Sequence, residues 1–334
     1  MTDLRRSLFQ GGLINRRSAL TAALGGAALA GAGPAVQSRS GPPQAQEASS
    51  FDWQSPAENL RMLSRMWGTV EEGEEAFLYV FGPAFGLLDA ENYVPLFRLE
   101  SLANVRTYTL PNGAFHYLAN QVILFCDYFT NEVLETWDNP YTGETVDVFQ
   151  YRDGPLDYKL DPNAFPERYK MEGQDALKRK LVLDWWFRGD TAYGDAIART
   201  SLPNKLDPAV WKRESIGPRW ETFEAYRWQA KIEEMEDLSL PSVPSFTGDF
   251  QTFKPWEPWM LMGQTPGKIF SVRTAFKPKT LDDVPRHVIN YIEKNLPEFM
   301  SAPTTFHGEY KLNDAHFKAL RTPSDRPLPA LKRP

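Results

Sequence analysis

Groups able to move a proton near neutral pH are scarce in this 334-residue chain, which has four histidines (116, 287, 307 and 316) and a single cysteine, Cys126. One cysteine excludes an internal disulfide framework and a cysteine-rich zinc site. His307 and His316 lie nine residues apart, without the i, i+4 spacing of a zinc-binding helix, so no metal ion is expected. Three residues remain as candidates for acid–base chemistry. His116 sits in an alternating stretch between Phe115 and Tyr117, where a histidine is either an ordinary strand residue or a proton shuttle. Asp138 follows Trp137 and precedes Asn139-Pro140 in a turn, where it is either a turn residue or a carboxylate at the rim of a pocket. Glu257 stands between Pro255-Trp256 and Pro258-Trp259; if buried there, desolvation would raise its pKa and suit it to proton transfer.

The candidate binding residues surround these groups. Trp137 and Asn139 flank Asp138, and Trp256, Trp259 and Met262 flank Glu257. Indole faces and thioethers pack well against π-systems, although the same residues would also serve as a core plug or lid. Arg98 could anchor a substrate carboxylate or form an ion pair with Glu100 at the rim. The aromatic load is high, with 10 Trp, 13 Tyr and 21 Phe. No nucleotide-binding glycine loop, dinucleotide fingerprint, nucleophile elbow or Cys-x-x-Cys pair is present. These features point to a hydrophobic or aromatic small molecule handled without a cofactor. The net charge of −6 and the lack of a basic stripe argue against nucleic acid.

Elements that could hold such a pocket follow from periodicity. Residues 55–67 read as a helix, with Ser55 as cap, Pro56 at its first turn and Leu60, Leu63 and Trp67 on one face. Short strands are expected at 76–81, ending at Gly82-Pro83, and at 93–100, 105–110, 115–127, 132–137 and 145–151. Turns at Asn112-Gly113 and Asn139–Gly143 separate them into an antiparallel meander. Residues 171–245 are ambiguous, with a hairpin expected around Arg188-Gly189-Asp190 and a strand over 220–232. Prolines at 241, 244, 255, 258 and 266 make 240–268 mostly extended or looped. A strand at 269–275 and a helix over 281–300 follow. The residues from 321 to 334 form a Pro-rich tail, expected to be disordered.

The N-terminus carries Arg16-Arg17, a weakly apolar Ala/Gly/Leu run and a small-residue Ala30-Gly31-Ala32 site. This pattern predicts a twin-arginine signal peptide over 1–32, cleaved on export to the periplasm by the twin-arginine machinery. Residues 33–50 read as a disordered linker and 51–320 as a single domain. No run is long and apolar enough for a stable membrane span.

Two segments are specific: Trp137-Asp138-Asn139-Pro140-Tyr141-Thr142-Gly143, and Pro255-Trp256-Glu257-Pro258-Trp259-Met260-Leu261-Met262-Gly263. With the leader, they resemble the bacterial family named for domain of unknown function 1838, over residues 60–303. The chain has Arg152-Asp153-Gly154-Pro155-Leu156-Asp157 where that family tends to carry an Asn-Asp-Pro-Val-Asn-like segment. The resemblance implies export and one domain, and it transfers no catalytic residues. The expected fold is mainly β, a single antiparallel barrel (lipocalin-like or related) with flanking N- and C-terminal helices, since an eight-stranded barrel can enclose one small ligand. The expected function is a periplasmic cofactor-independent lyase or isomerase acting on an aromatic or lipophilic molecule. The alternative is a non-catalytic carrier of such molecules.

Overall fold

The computed structural model describes residues 51–88, 93–111, 113–163, 180–306 and 322–332. The expected leader and linker, His307 and His316 lie outside these residues. The chain begins with helix α1 (Pro56–Trp67), where the Ser55 side chain accepts the Glu58 backbone N–H. Strands β1 (Glu75–Leu87), β2 (Tyr93–Thr109) and β3 (Phe115–Cys126) follow, then a small hairpin of β4 (Thr136–Asp138) and β5 (Thr145–Asp147). Next come β6 (Tyr151–Leu160), β7 (Asp184–Arg188), β8 (Thr191–Pro203), β9 (Arg219–Lys231) and the short helix α2 (Ile232–Glu236). The chain closes with β10 (Thr247–Lys254), β11 (Lys268–Phe276) and helix α3 (Arg286–Asn295).

Nine strands form one antiparallel sheet in the order β6-β3-β2-β1-β11-β10-β9-β8-β7. Alternate residues point to opposite faces. One row on the inner face runs Ala275–Val80–Ser101–Ile123–Tyr151 across β11, β1, β2, β3 and β6. Inner-face residues from β6 and from β8 line the same cavity, so the sheet is curled. The closed barrel expected from the sequence is not found among the described residues: β6 and β7 end the sheet as edges.

Several boundaries differ from the sequence expectation. β1 does not stop at Gly82-Pro83 but runs through it with an irregularity near Ala84. A Cβ at Gly82 would lie 2.1 Å from the Val272 carbonyl oxygen, so close approach of β11, rather than a turn, requires this glycine. The two strands expected over 93–110 are one: Ser101 to Asn104 pair with β1 and β3 without a break, with Ser101 and Ala103 toward the cavity and Leu102 toward α3. The stretch 240–268 contains β10, whose eight residues lack proline although prolines stand on either side. The helix expected over 281–300 is cut at Pro285 and Pro297 into a 3-10 turn (Leu281–Asp283), α3 and a second 3-10 turn (Pro297–Phe299), since proline cannot continue the ladder behind it. Of the Pro-rich tail, residues 322–332 dock on the body, with the Lys332 N–H on the Tyr141 carbonyl at 2.7 Å.

Two plugs occupy the inner face. At one end α1 buries Leu60, Met62, Leu63 and Met66 against Val105, Tyr117, Trp228 and Met235. Full burial of each such side chain contributes about 1.5–3 kcal/mol. Arg65 ties α1 down by donating to the carbonyls of Glu234, Met235 and Asp237 around the end of α2. At the other end Trp256, Trp259, Met260 and Met262 pack on Phe97, Phe125 and Trp137. The outer face of β1–β3 is covered by α3, with Val288, Ile289 and Ile292 against Tyr79, Leu102 and Leu124.

Glu100 is buried on that outer face and accepts the Tyr79 hydroxyl. Burial pushes its carboxyl up to about 7 from the ordinary 4.5. Between those values the folded chain holds a proton that the unfolded chain releases, so stability falls as pH rises through this window and stays lowered above it. Glu100→Gln should therefore raise Tm by a few degrees at pH 8 and change it little at pH 4.5. Thermal denaturation at the two pH values checks this.

Candidate functional site

Between the two plugs lies a cavity of about 430 Å³. Such a volume suits a small-molecule ligand. Its wall is largely apolar, with Leu78, Val80, Leu99, Ile123, Leu156 and Phe250 among its residues. Lys205 also borders it, and the other charged side chains interrupt this wall in two groups.

The first group joins the plug to the sheet. Glu257 has 0% exposure and opens the 3-10 turn Pro258–Met260. Its carboxylate accepts the Tyr151 hydroxyl from β6 and pairs with the Lys254 ammonium from the end of β10. Burial and the adjacent Glu257 charge push the Tyr151 phenol well above its ordinary value, so it stays a proton donor. Lys254, 17% exposed at its side chain, carries this group to the cavity, with Asp153 and Gln121 beside it on the wall.

The second group stands on β9, β10 and β11. Glu224 is enclosed by protein, and the surface it keeps faces the cavity. Burial raises its pKa; the Tyr226 hydroxyl bond at 2.6 Å and the charges of Arg273 and Lys254 oppose that rise without cancelling it. Arg273 lies on β11, with its Nη2 donating to Thr252 Oγ1 at 2.9 Å. Register places Glu224 opposite Thr252 and Thr252 opposite Ser271, so these groups share one patch of wall. The charge of Lys254 acts on Glu224, which links the two groups electrostatically.

Of the residues singled out from the sequence, only Glu257 belongs to this cavity. His116 points to the outer face, paired with Asp157 and stacked on Phe306 at 4.2 Å. Asp138 is exposed on the small hairpin and accepts the Thr145 hydroxyl at 2.6 Å. Arg98 also points outward, with its Nε on the Tyr128 carbonyl at 2.9 Å. The aromatic wall expected of Trp137 and Trp259 is a core plug: the two indoles pack at 5.7 Å, and Trp137 donates to the Leu96 carbonyl. Asn139 builds the turn by accepting the Tyr141 N–H at 2.9 Å, and its amide donates to the Met260 carbonyl and the Met262 sulfur. Trp256 donates to the Thr265 carbonyl and borders a second, more open groove with Phe253 and Lys268. The two family-bearing segments thus pack against each other and close one end of the cavity.

Tyr151, Lys254, Glu224 and Arg273 were missed. A signal existed for two of them: Glu224 falls on the same strand face as Trp220, Tyr226 and Trp228, and Arg273 on the face of Ile269 and Ala275. A charge on the apolar face of a strand needs a reason. Lys254 and Tyr151 carry no such mark, because only the fold brings them to Glu257.

Among the described residues no cluster of three or more His, Cys, Asp or Glu could hold a metal ion. No helix among them is long and apolar enough to cross a membrane. A family model described as "Protein of unknown function (DUF1838)" matches residues 73–318. No curated protein matches the chain.

Lys254→Met should strand the buried Glu257 carboxylate and lower stability at pH 7 by about 3 kcal/mol. The double variant Lys254→Met/Glu257→Gln should recover most of that loss, as read by urea denaturation.

Proposed function

The chain belongs to the family described as protein of unknown function DUF1838, and we propose that it is a periplasmic lyase or isomerase that works by acid–base chemistry on an aromatic or lipophilic small molecule. The observation that carries this reading is Glu224, a carboxyl with a raised pKa on the surface of an apolar cavity, under the charges of Arg273 and Lys254. A carboxylate with a raised pKa is a stronger base than an exposed one, and its acid form persists to higher pH.

In this mechanism the cavity wall binds the ligand and displaces water. Glu224 takes a proton from a carbon next to the ring, or returns one to it. In an isomerisation the proton goes back to a different carbon. In a lyase step Glu224 removes that proton as an oxygen leaving group departs from the neighbouring carbon and a double bond forms, or it removes a hydroxyl proton as a carbonyl forms and the adjacent carbon–carbon bond breaks, the electron pair going to the carbon beside the ring, which is then protonated. Lys254 faces the charge that develops on the ligand, and its ammonium is held by Glu257. Glu257 and Tyr151 are therefore positioning residues, because Glu257 itself has no accessible surface.

Turnover of aryl compounds in D2O, followed by mass spectrometry, tests the reading. Deuterium uptake or bond cleavage is expected with the purified protein, and Glu224→Gln should slow it about 100-fold. The pH profile should carry a limb above the ordinary carboxylate range that vanishes in this variant. Equal rates in wild type and Glu224→Gln would overturn the assignment. A ligand bound and returned without exchange would identify a carrier instead.

The export reading rests on the Arg16-Arg17 leader. Replacing both arginines by lysine should hold the protein in the cytoplasm, as read by cell fractionation.

A further inference from the structure

Arg65 and Arg213, which are buried, make an instructive comparison with the half-buried Arg273. Arg65 donates to three backbone carbonyls. Arg213 is clamped by the Leu261 carbonyl at 2.8 Å, the Pro327 carbonyl at 3.1 Å and the Glu144 carboxylate. Arg273 makes one hydrogen bond, to Thr252, and among the described residues no carboxylate forms an ion pair with it. Its Nε, like that of Arg65, has no hydrogen-bond partner among them, so the difference lies at the two terminal nitrogens. The surface that Arg273 retains faces the cavity.

A guanidinium offers five N–H donors, and an enclosed cation without a counterion costs several kcal/mol. Ser271, two residues earlier on the same face of β11, also keeps a buried hydroxyl without a partner among the described residues. Thr252 stands opposite Ser271, and Phe250 stands opposite Arg273. Phe250 packs edge-on to Tyr226 at 5.0 Å, so an aromatic wall adjoins the guanidinium. Glu224 is not the missing counterion, since it lies beyond ion-pair distance of Arg273 and is bonded to Tyr226.

We infer that the cavity takes an aryl carboxylate, with its carboxylate on Arg273 and Ser271 and its ring against Phe250 and Tyr226. This deepens the catalytic reading and rests on the same cavity. A planar carboxylate matches the guanidinium fork with two parallel bonds. It supplies the direct ion-pair partner that Glu224, which acts on Arg273 only through space, does not, and it sets the reacting carbon beside Glu224.

Calorimetric titration with 2-naphthoate and 2-naphthamide isolates the charge, because the two probes have nearly the same shape. Wild-type protein should bind the naphthoate at least tenfold more tightly. Arg273→Met should abolish that preference while keeping the naphthamide affinity, which also reports an intact cavity. Arg273→Gln, which keeps polarity but not charge, should behave alike and serves if the methionine variant does not fold. Equal affinities in wild type, no binding of either probe, or a preference that survives both variants would overturn the inference. Binding is read without turnover, so the two readings fail separately. A naphthoate preference with no proton exchange removes the catalytic role of Glu224 alone, whereas Glu224-dependent exchange with equal probe affinities removes the anion subsite alone.

Discussion

The constraint on which this structure turns is that the inner face of the sheet is too large to be filled by its own side chains. A nine-stranded sheet curled on itself needs a layer against that face, or its apolar rows stay in water. The chain supplies that layer from two places distant in sequence. Helix α1 comes before the first strand, and the Pro255–Gly263 segment comes between the last two. Neither reaches the middle, and the cavity is the space between them.

The plugs explain the distribution of charge. Where a plug meets the sheet, the charged groups are held by several partners each: Arg65 by carbonyls near α2 and Glu257 by Tyr151 and Lys254, while Asn139 is held by the Met260 backbone. A buried carboxylate such as Glu257 is tolerable only with such partners. In the middle of the wall, where no plug arrives, Arg273 and Ser271 keep atoms without partners among the described residues. The contrast between Arg65, held by three backbone carbonyls, and Arg273, held by one hydroxyl and facing the cavity, separates a group that serves the fold from one left for a ligand.

The legibility of the fold in the sequence follows the same division. The capped helix at Ser55-Pro56, the Phe115–Cys126 alternation and the Gly189 hairpin are local signals, and each stands in the structure. The failures involve information held elsewhere in the chain. Gly82-Pro83 reads as a strand end unless one knows that β11 lies against it. Pro244 and Pro255 hide an intervening strand whose partners, β9 and β11, lie beyond the proline-bearing loops on either side. Closure is a property of the two edges, β6 and β7, and neither edge carries a mark in its own residues that says it remains unpaired.

The aromatic residues show why composition misdirects a search for the site. Trp137, Trp256 and Trp259 carry the most specific sequence pattern, which invites assignment to the ligand. An indole has one polar atom, however, and in Trp137 and Trp256 that atom is spent on a nearby backbone carbonyl. Such a residue is anchored at its polar end and packed on both faces, which is what a plug needs and what an adaptable pocket wall does not. A long, specific motif is also what two interlocking segments require, since Asn139 must meet Met260, and Tyr141 must meet Trp256 at 5.4 Å, for either segment to hold its shape. The cavity wall imposes a weaker demand on sequence, that of one or two ionisable residues on faces otherwise built of apolar ones. The chemistry of this protein is therefore to be sought at Glu224 and Arg273, where the local pattern is broken, rather than in the segments where it is richest.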